Sequence, residues 1–106
     1  MPEGRIYTLT LTVEALSDLD RLDIFLRPIN PPAADRFQDV IWEAFNVLLD
    51  TPRLGVPWPE APPGQDIRQH YVGFGKRGYV VRYEIAGFEL IVARIYHFLE
   101  DRSSDH

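Results

Sequence analysis

Residues 6–29 read IYTLTLTVEALSDLDRLDIFLRPI, and the hydrophobic period changes within them. From Ile6 to Val13 the period is two: Tyr7, Leu9, Leu11 and Val13 alternate with Thr8, Thr10 and Thr12. Successive side chains of a strand point to opposite faces, so β-forming residues in this pattern predict a strand buried on one side. From Ala15 the spacing is helical. Ala15, Leu19, Leu22, Leu26 and Ile29 fall at intervals of 4, 3, 4 and 3 and draw one apolar stripe, with Asp18, Asp20, Asp23 and Arg27 mostly facing away. Pro28 has no amide proton to give and ends or kinks the helix there.

Asn30-Pro31-Pro32 then announces a second helix, because Asn is a favoured cap and proline suits the first helical position. Phe37, Ile41, Ala44 and Leu48 continue its apolar stripe towards Asp50. So short a link predicts an antiparallel helical hairpin. Residues 51–65 hold Pro52, Pro57, Pro59, Pro62 and Pro63, which predicts a partly extended loop pinned by Leu54, Val56 and Trp58. Three β-like runs follow: Asp66 to Phe74, Tyr79 to Ile85 and Phe88 to Phe98, with turns at residues 73–78 and at Ala86-Gly87. Leu90-Ile91-Val92-Ala93 is apolar at consecutive positions, as in a central strand covered on both faces. The predicted class is α+β, a βααβββ order in which the helical hairpin packs on one face of an antiparallel sheet.

One domain over residues 1–102 accounts for this order, with residues 103–106 as a polar tail. There is no cysteine, and His70, His97 and His106 lack ligand spacing, so neither a metal nor an organic cofactor is expected. No stretch resembles a signal peptide or a membrane span, and the expected location is the cytoplasm. The net charge of −5 argues against gripping nucleic acid with the whole surface. Residues 1–65 carry five basic and ten acidic side chains, whereas residues 66–102 carry six and five, so any nucleic-acid site belongs to the second half.

Five stretches, taken in order, resemble the ParE/RelE family of toxins. Tyr7-Thr8-Leu9-Thr10-Leu11-Thr12 with Glu14-Ala15-Leu16-Ser17-Asp18-Leu19 resembles its first strand and helix start. Asn30-Pro31-Pro32-Ala33-Ala34-Asp35-Arg36 resembles the entry to its second helix, and Pro52-Arg53-Leu54-Gly55 the segment after it. Ile67-Arg68-Gln69 with Gly78-Tyr79-Val80-Val81-Arg82-Tyr83 resembles a strand pair. Ala93-Arg94-Ile95-Tyr96-His97 with Asp101-Arg102 resembles the last strand. The resemblance implies a βααβββ fold and the toxic half of a bacterial toxin–antitoxin pair, neutralised by a cognate antitoxin that handles any DNA contact. ParE-like members are associated with DNA gyrase inhibition, RelE-like members with ribosome-dependent mRNA cleavage.

RNA cleavage needs a proton handler and cations that stabilise the phosphorane. Arg82 and His97 are the catalytic candidates if the chain is a nuclease, and Arg68, Lys76, Arg77, Arg94, Tyr96 and Arg102 the candidates for target binding. A hairpin tip at Ala86-Gly87 sets Arg82 opposite Ile91 and Arg94 opposite Tyr79, so that Arg82 shares a face with His97 and not with Arg94. That register also opposes Glu84 to Glu89. Each candidate has a plainer reading: Arg82 as a surface or ion-pair residue, His97 as packing at a strand end, Arg94 as the ion-pair partner of a helix acid, Lys76 and Arg77 as solvated turn charge. Gly73-Phe74-Gly75-Lys76 lacks the strand–loop–helix context of a phosphate loop.

The run Gln65-Asp66-Ile67-Arg68-Gln69-His70-Tyr71 has one arginine and one acid where RelE-like nucleases carry a dense basic run. This departure favours a ParE-like toxin without catalysis of its own. Leu49, Leu54, Val56 and Trp58 offer apolar surface for an antitoxin segment.

Overall fold

The computed structural model describes residues 6–98. Their order is β1 (Thr8–Leu11), α1 (Val13–Leu26), α2 (Pro31–Asp50), β2 (Val56–Pro57), β3 (Asp66–Phe74), β4 (Arg77–Ala86) and β5 (Glu89–His97), with a 3-10 turn at Pro52–Leu54. The second helix starts as the sequence predicts, whereas α1 begins at Val13, inside the stretch read as strand, with Thr12 as its cap. The Thr12 hydroxyl accepts the Ala15 amide proton at 3.0 Å, and the Asn30 side chain accepts that of Ala33 at 3.1 Å. The α2 stripe is buried throughout, and Phe37, Ile41 and Leu48 are fully enclosed. In α1 the stripe holds as far as Leu26, but Ile29 lies beyond the helix end and is 70% exposed.

The strands form one sheet in the order β1-β5-β4-β3-β2. β3, β4 and β5 are antiparallel neighbours joined by two-residue turns. Gly75 (φ +63°) and Gly87 (φ +62°) take the first turn positions, where only glycine adopts a positive φ without strain. β1, however, pairs parallel with β5, Leu9 lying beside Leu90 and Leu11 beside Val92, so the sheet is mixed and not wholly antiparallel. Alternation along a strand records which face is buried but not the neighbour or its direction, which is why the sequence reading missed this.

The second hairpin turns at Gly87-Phe88, one residue later than predicted, so Ile85 faces Leu90 and Glu84 faces Ile91. This register avoids the opposed pair Glu84 and Glu89. An irregularity between Arg82 and Tyr83 then sets Arg82 opposite Arg94 and Tyr79 opposite His97. Tyr79, Val81 and Tyr83 of β4 meet Leu90, Val92 and Ile95 of β5 on the helix-covered face and complete the core with Leu19, Leu22, Phe37 and Ile41.

β1 ends at Leu11, which leaves the outer edge of β5 open beyond Val92. Thr12 and α1 fill the gap. The Thr12 amide donates to the Val92 carbonyl at 3.1 Å and its hydroxyl to that of Ala93 at 2.9 Å. One turn further on, Asp18 accepts the Ile95 amide proton at 2.8 Å and Arg94 Nε–H at 2.8 Å, while Arg21 donates to the Ile95 carbonyl at 3.3 Å. Asp18 is only 4% exposed, and its satisfied hydrogen bonds explain how a carboxylate sits in the core.

At the opposite edge, the proline-rich segment is anchored by polar groups more than by its apolar side chains. The Tyr83 hydroxyl accepts the Gly55 amide proton at 2.9 Å and donates to the Pro52 carbonyl. Arg68 donates to the carbonyls of Arg53 and Gly55 at 3.2 and 3.1 Å. β2 extends the sheet by pairing Val56 with Gln69 and Pro57 with Arg68.

Candidate functional site

The helices cover one face of the sheet, so function is sought first on the other. That face carries Gln69 and Tyr71 from β3, Val80 and Arg82 from β4, and Tyr96 from β5. Arg82 is its centre. The guanidinium lies 3.9 Å from the Trp58 ring centroid and 5.2 Å from that of Tyr96. Its Nε and Nη2 donate to Gln69 Oε1 at 2.9 and 2.7 Å, and the Tyr96 hydroxyl donates to the same oxygen at 3.1 Å. A flat cation is thus held between two rings, each contact contributing roughly 0.5–2 kcal/mol.

Trp58, Gln69, Tyr71 and Arg82 line a cleft of about 430 Å³. Tyr71 also borders a second hollow of about 340 Å³ at the hairpin end of the sheet, shared with Gly73, Lys76, Arg77, Gly78 and Phe98. The rings of Tyr71 and Phe98 meet edge to face with centroids 6.3 Å apart, and both are about half exposed. Cations and aromatic faces therefore run side by side along the open face.

A third concavity lies on the helix side, between the end of α1 and the β3–β4 hairpin. This groove of about 700 Å³ has Leu22, Phe25, Leu26, Phe74 and Tyr79 as its apolar lining and Arg21, Lys76, Arg77 and His97 as its charged and polar lining. The sequence reading missed it. The available signal was Phe25, an aromatic beside the α1 stripe that is 71% exposed.

The predicted catalytic pair does not assemble. His97 faces Tyr79 on the helix side, ring centroids 5.4 Å apart, whereas Arg82 lies on the open face with Tyr96. The irregularity between Arg82 and Tyr83 separates them: moving the turn by one residue shifts cross-strand partners by two and keeps their faces, whereas the one extra residue in β5 moves His97 to the other side of the sheet. Arg82 and Arg94 are cross-strand partners, yet their side chains diverge, Arg94 turning at the sheet edge to Asp18. This is the ion pair with a helix acid that the plainer reading of Arg94 anticipated. Burial works to raise the Asp18 carboxyl, but hydrogen bonds from Arg94, the Ile95 amide and Arg21 outweigh it and hold the group below its ordinary range.

Arg68 is committed to the loop carbonyls and to Asp66, and Tyr96 is 5% exposed beneath the Arg82 stack. Lys76 and Arg77 are exposed at the hairpin tip. Arg102 lies outside the described residues. Of the four antitoxin candidates, Leu49 packs against the core, Leu54 sits in the 3-10 turn, and Val56 and Trp58 line the open-face cleft. Among the described residues no group of histidine and acidic side chains is placed to hold a metal ion, and no helix is long and apolar enough to cross a membrane.

Comparison with known proteins gives a consistent set of matches. The model of a family described as the ParE toxin of the type II toxin–antitoxin system parDE matches residues 9–102. Toxin RelE1 of Caulobacter vibrioides is 32% identical over 96 residues, spanning 91% of this chain and 98% of that protein. Toxin RelE3 of the same organism is 36% identical over 88 residues, spanning 83% and 90%. In fold, the chain is similar to a solved structure described as a chromosomal ParDE toxin–antitoxin system from P. aeruginosa, with a TM-score of 0.67 at 22% identity, covering 89% of this chain and 98% of that one.

Proposed function

We propose, from the premise that this chain belongs to the ParE toxin family of type II toxin–antitoxin systems, that it stops growth by binding an essential target and not by cutting RNA. The target, by analogy with ParE-like toxins, is DNA gyrase in the cytoplasm, and the open sheet face is the binding surface. A cognate antitoxin neutralises the toxin, and contact with DNA is left to that partner.

The separation of Arg82 from His97 carries this reading. Cleavage by 2′-hydroxyl attack needs a proton handler within reach of the phosphate and its cation. Beside Arg82 stand Trp58, Gln69 and Tyr96, and the Tyr96 hydroxyl is already given to Gln69. A cation fixed in this way suits recognition, in which a stacked, pre-oriented guanidinium meets a carboxylate or a flat group without further ordering. The net charge of −5 adds a repulsive background against a ribosomal RNA target.

The mRNA-endonuclease alternative draws its support from the same stack, because aromatic faces beside arginine also hold nucleobases. Pulse incorporation of thymidine and of methionine, followed in cells just after this chain alone is induced, separates the two. Thymidine incorporation is expected to fall first. An earlier collapse of methionine incorporation overturns the gyrase reading in favour of the nuclease.

A further inference from the structure

Lys76 and Arg77 line two concavities at once, the open-face hollow beside Tyr71 and Phe98 and the helix-side groove beside Leu22 and Phe25. The groove floor is apolar, with Leu22 and Tyr79 each 6% exposed, while Phe25 stands 71% exposed at its side. Arg21 and His97 add to the basic groups around it. On a chain of net charge −5, this patch attracts an acidic segment that much of the remaining surface repels. An amphipathic helix that lays apolar side chains at i, i+3 and i+7 along the floor and turns carboxylates outward fits these features.

We propose that the β3–β4 hairpin tip makes the two concavities mutually exclusive: an acidic amphipathic segment of the antitoxin, seated in the groove, takes Lys76 and Arg77 as charge partners and withdraws them from the hollow that the target needs. The inference rests on the toxin reading above and adds how neutralisation reaches the opposite face. One side chain cannot satisfy carboxylates on both sides of a sheet. Two ligands that compete for the same cations therefore weaken each other without touching, and the coupling is reciprocal.

Lys76 is the only lysine in the sequence, so amine acylation reports on it directly, with the N-terminal amine as internal reference. In the complex with the cognate antitoxin, acylation of Lys76 is expected to slow by about tenfold or more relative to the free toxin. Equal rates in the free and bound forms overturn the proposal. Variants supply a second, independent reading through antitoxin affinity and growth inhibition in the absence of antitoxin. Phe25→Glu is expected to lower only the affinity, Tyr71→Ala with Phe98→Ala only the growth inhibition, and Lys76→Gln with Arg77→Gln both. If the paired Gln variant, with an unchanged unfolding midpoint, alters only one of the two, the shared-cation mechanism is wrong. If the unaltered chain neither inhibits growth nor binds its antitoxin, the toxin reading itself falls, and this result is distinct from every other.

Discussion

The Asp18 carboxylate accepts the Ile95 amide proton at 2.8 Å, so a helix side chain occupies the place where a neighbouring strand's carbonyl would stand. Losing it strips the Ile95 amide and the Arg94 guanidinium of a partner together. Asp18→Ala is expected to cost about 3 kcal/mol of folding stability, as other broken buried pairs do. Asp18→Asn keeps an acceptor for the amide and is expected to cost less. Urea unfolding of the two variants beside the parent protein checks the order.

The same carboxylate makes stability depend on acid. Its folded-state pKa lies below the ordinary 3.8, so its contribution is complete above that value and is lost as pH falls through the folded-state pKa. The stability difference between the parent protein and Asp18→Asn is expected to be constant near neutrality and to shrink below about pH 4. Unfolding curves collected between pH 3 and 7 measure it; a difference that grows towards low pH refutes the assignment.

Gly78 and Gly73 face each other across the β3–β4 ladder, yet only one of them is sterically required. A β-carbon on Gly78 falls 2.1 Å from the Val72 carbonyl oxygen, while one on Gly73 meets nothing within 4 Å. Gly78→Ala is expected to destabilise by about 3 kcal/mol or more and Gly73→Ala by less than about 1 kcal/mol. Thermal midpoints of the two variants decide between them.

Tyr83 spans from the sheet to the turn after α2. Tyr83→Phe leaves the Gly55 amide and the Pro52 carbonyl without this partner and is expected to cost about 1–2 kcal/mol. Limited proteolysis is expected to show earlier cleavage within residues 51–65, because that segment loses an anchor while the sheet keeps its ladder.

Arg82→Ala is expected to reduce growth inhibition by about tenfold or more, since it empties the space between Trp58 and Tyr96. His97→Gln, on the other face, is expected to leave inhibition within about threefold of the parent. Equal loss from both variants points to a shared site in another conformation and restores the nuclease reading.

The element order and the cap of α2 were legible because each is written locally: Asn30 stands at its cap, and Phe37, Ile41, Ala44 and Leu48 mark one side of the helix, whereas Thr12, read as strand, turned out to cap α1. The chemistry was less legible, because it depends on register, and register depends on one turn residue and one irregularity. Placing the tip at Ala86-Gly87 instead of Gly87-Phe88 changed the cross-strand partners, and the irregularity beside Arg82 changed which β5 side chains share its face. Trp58 and Arg82, assigned from sequence to different partners, meet in one stack because β2 docks on β3, a pairing of two residues with almost no sequence signal. The resemblance to a toxin family survived these errors, since it rests on short local stretches and not on how they pair.

The parallel pairing of β1 with β5 has a consequence for synthesis. Leu9 and Leu90 are 81 positions apart, and the long-range closure that brings them together is a slow kind of folding event. During translation β1 has no sheet partner until the last strand leaves the ribosome, so chains that stop short of β5 cannot complete the sheet or place Tyr96 beside Arg82. A fold assembled this way completes its open-face stack only when β5 has been made, so a shortened chain lacks the surface as well as the sheet.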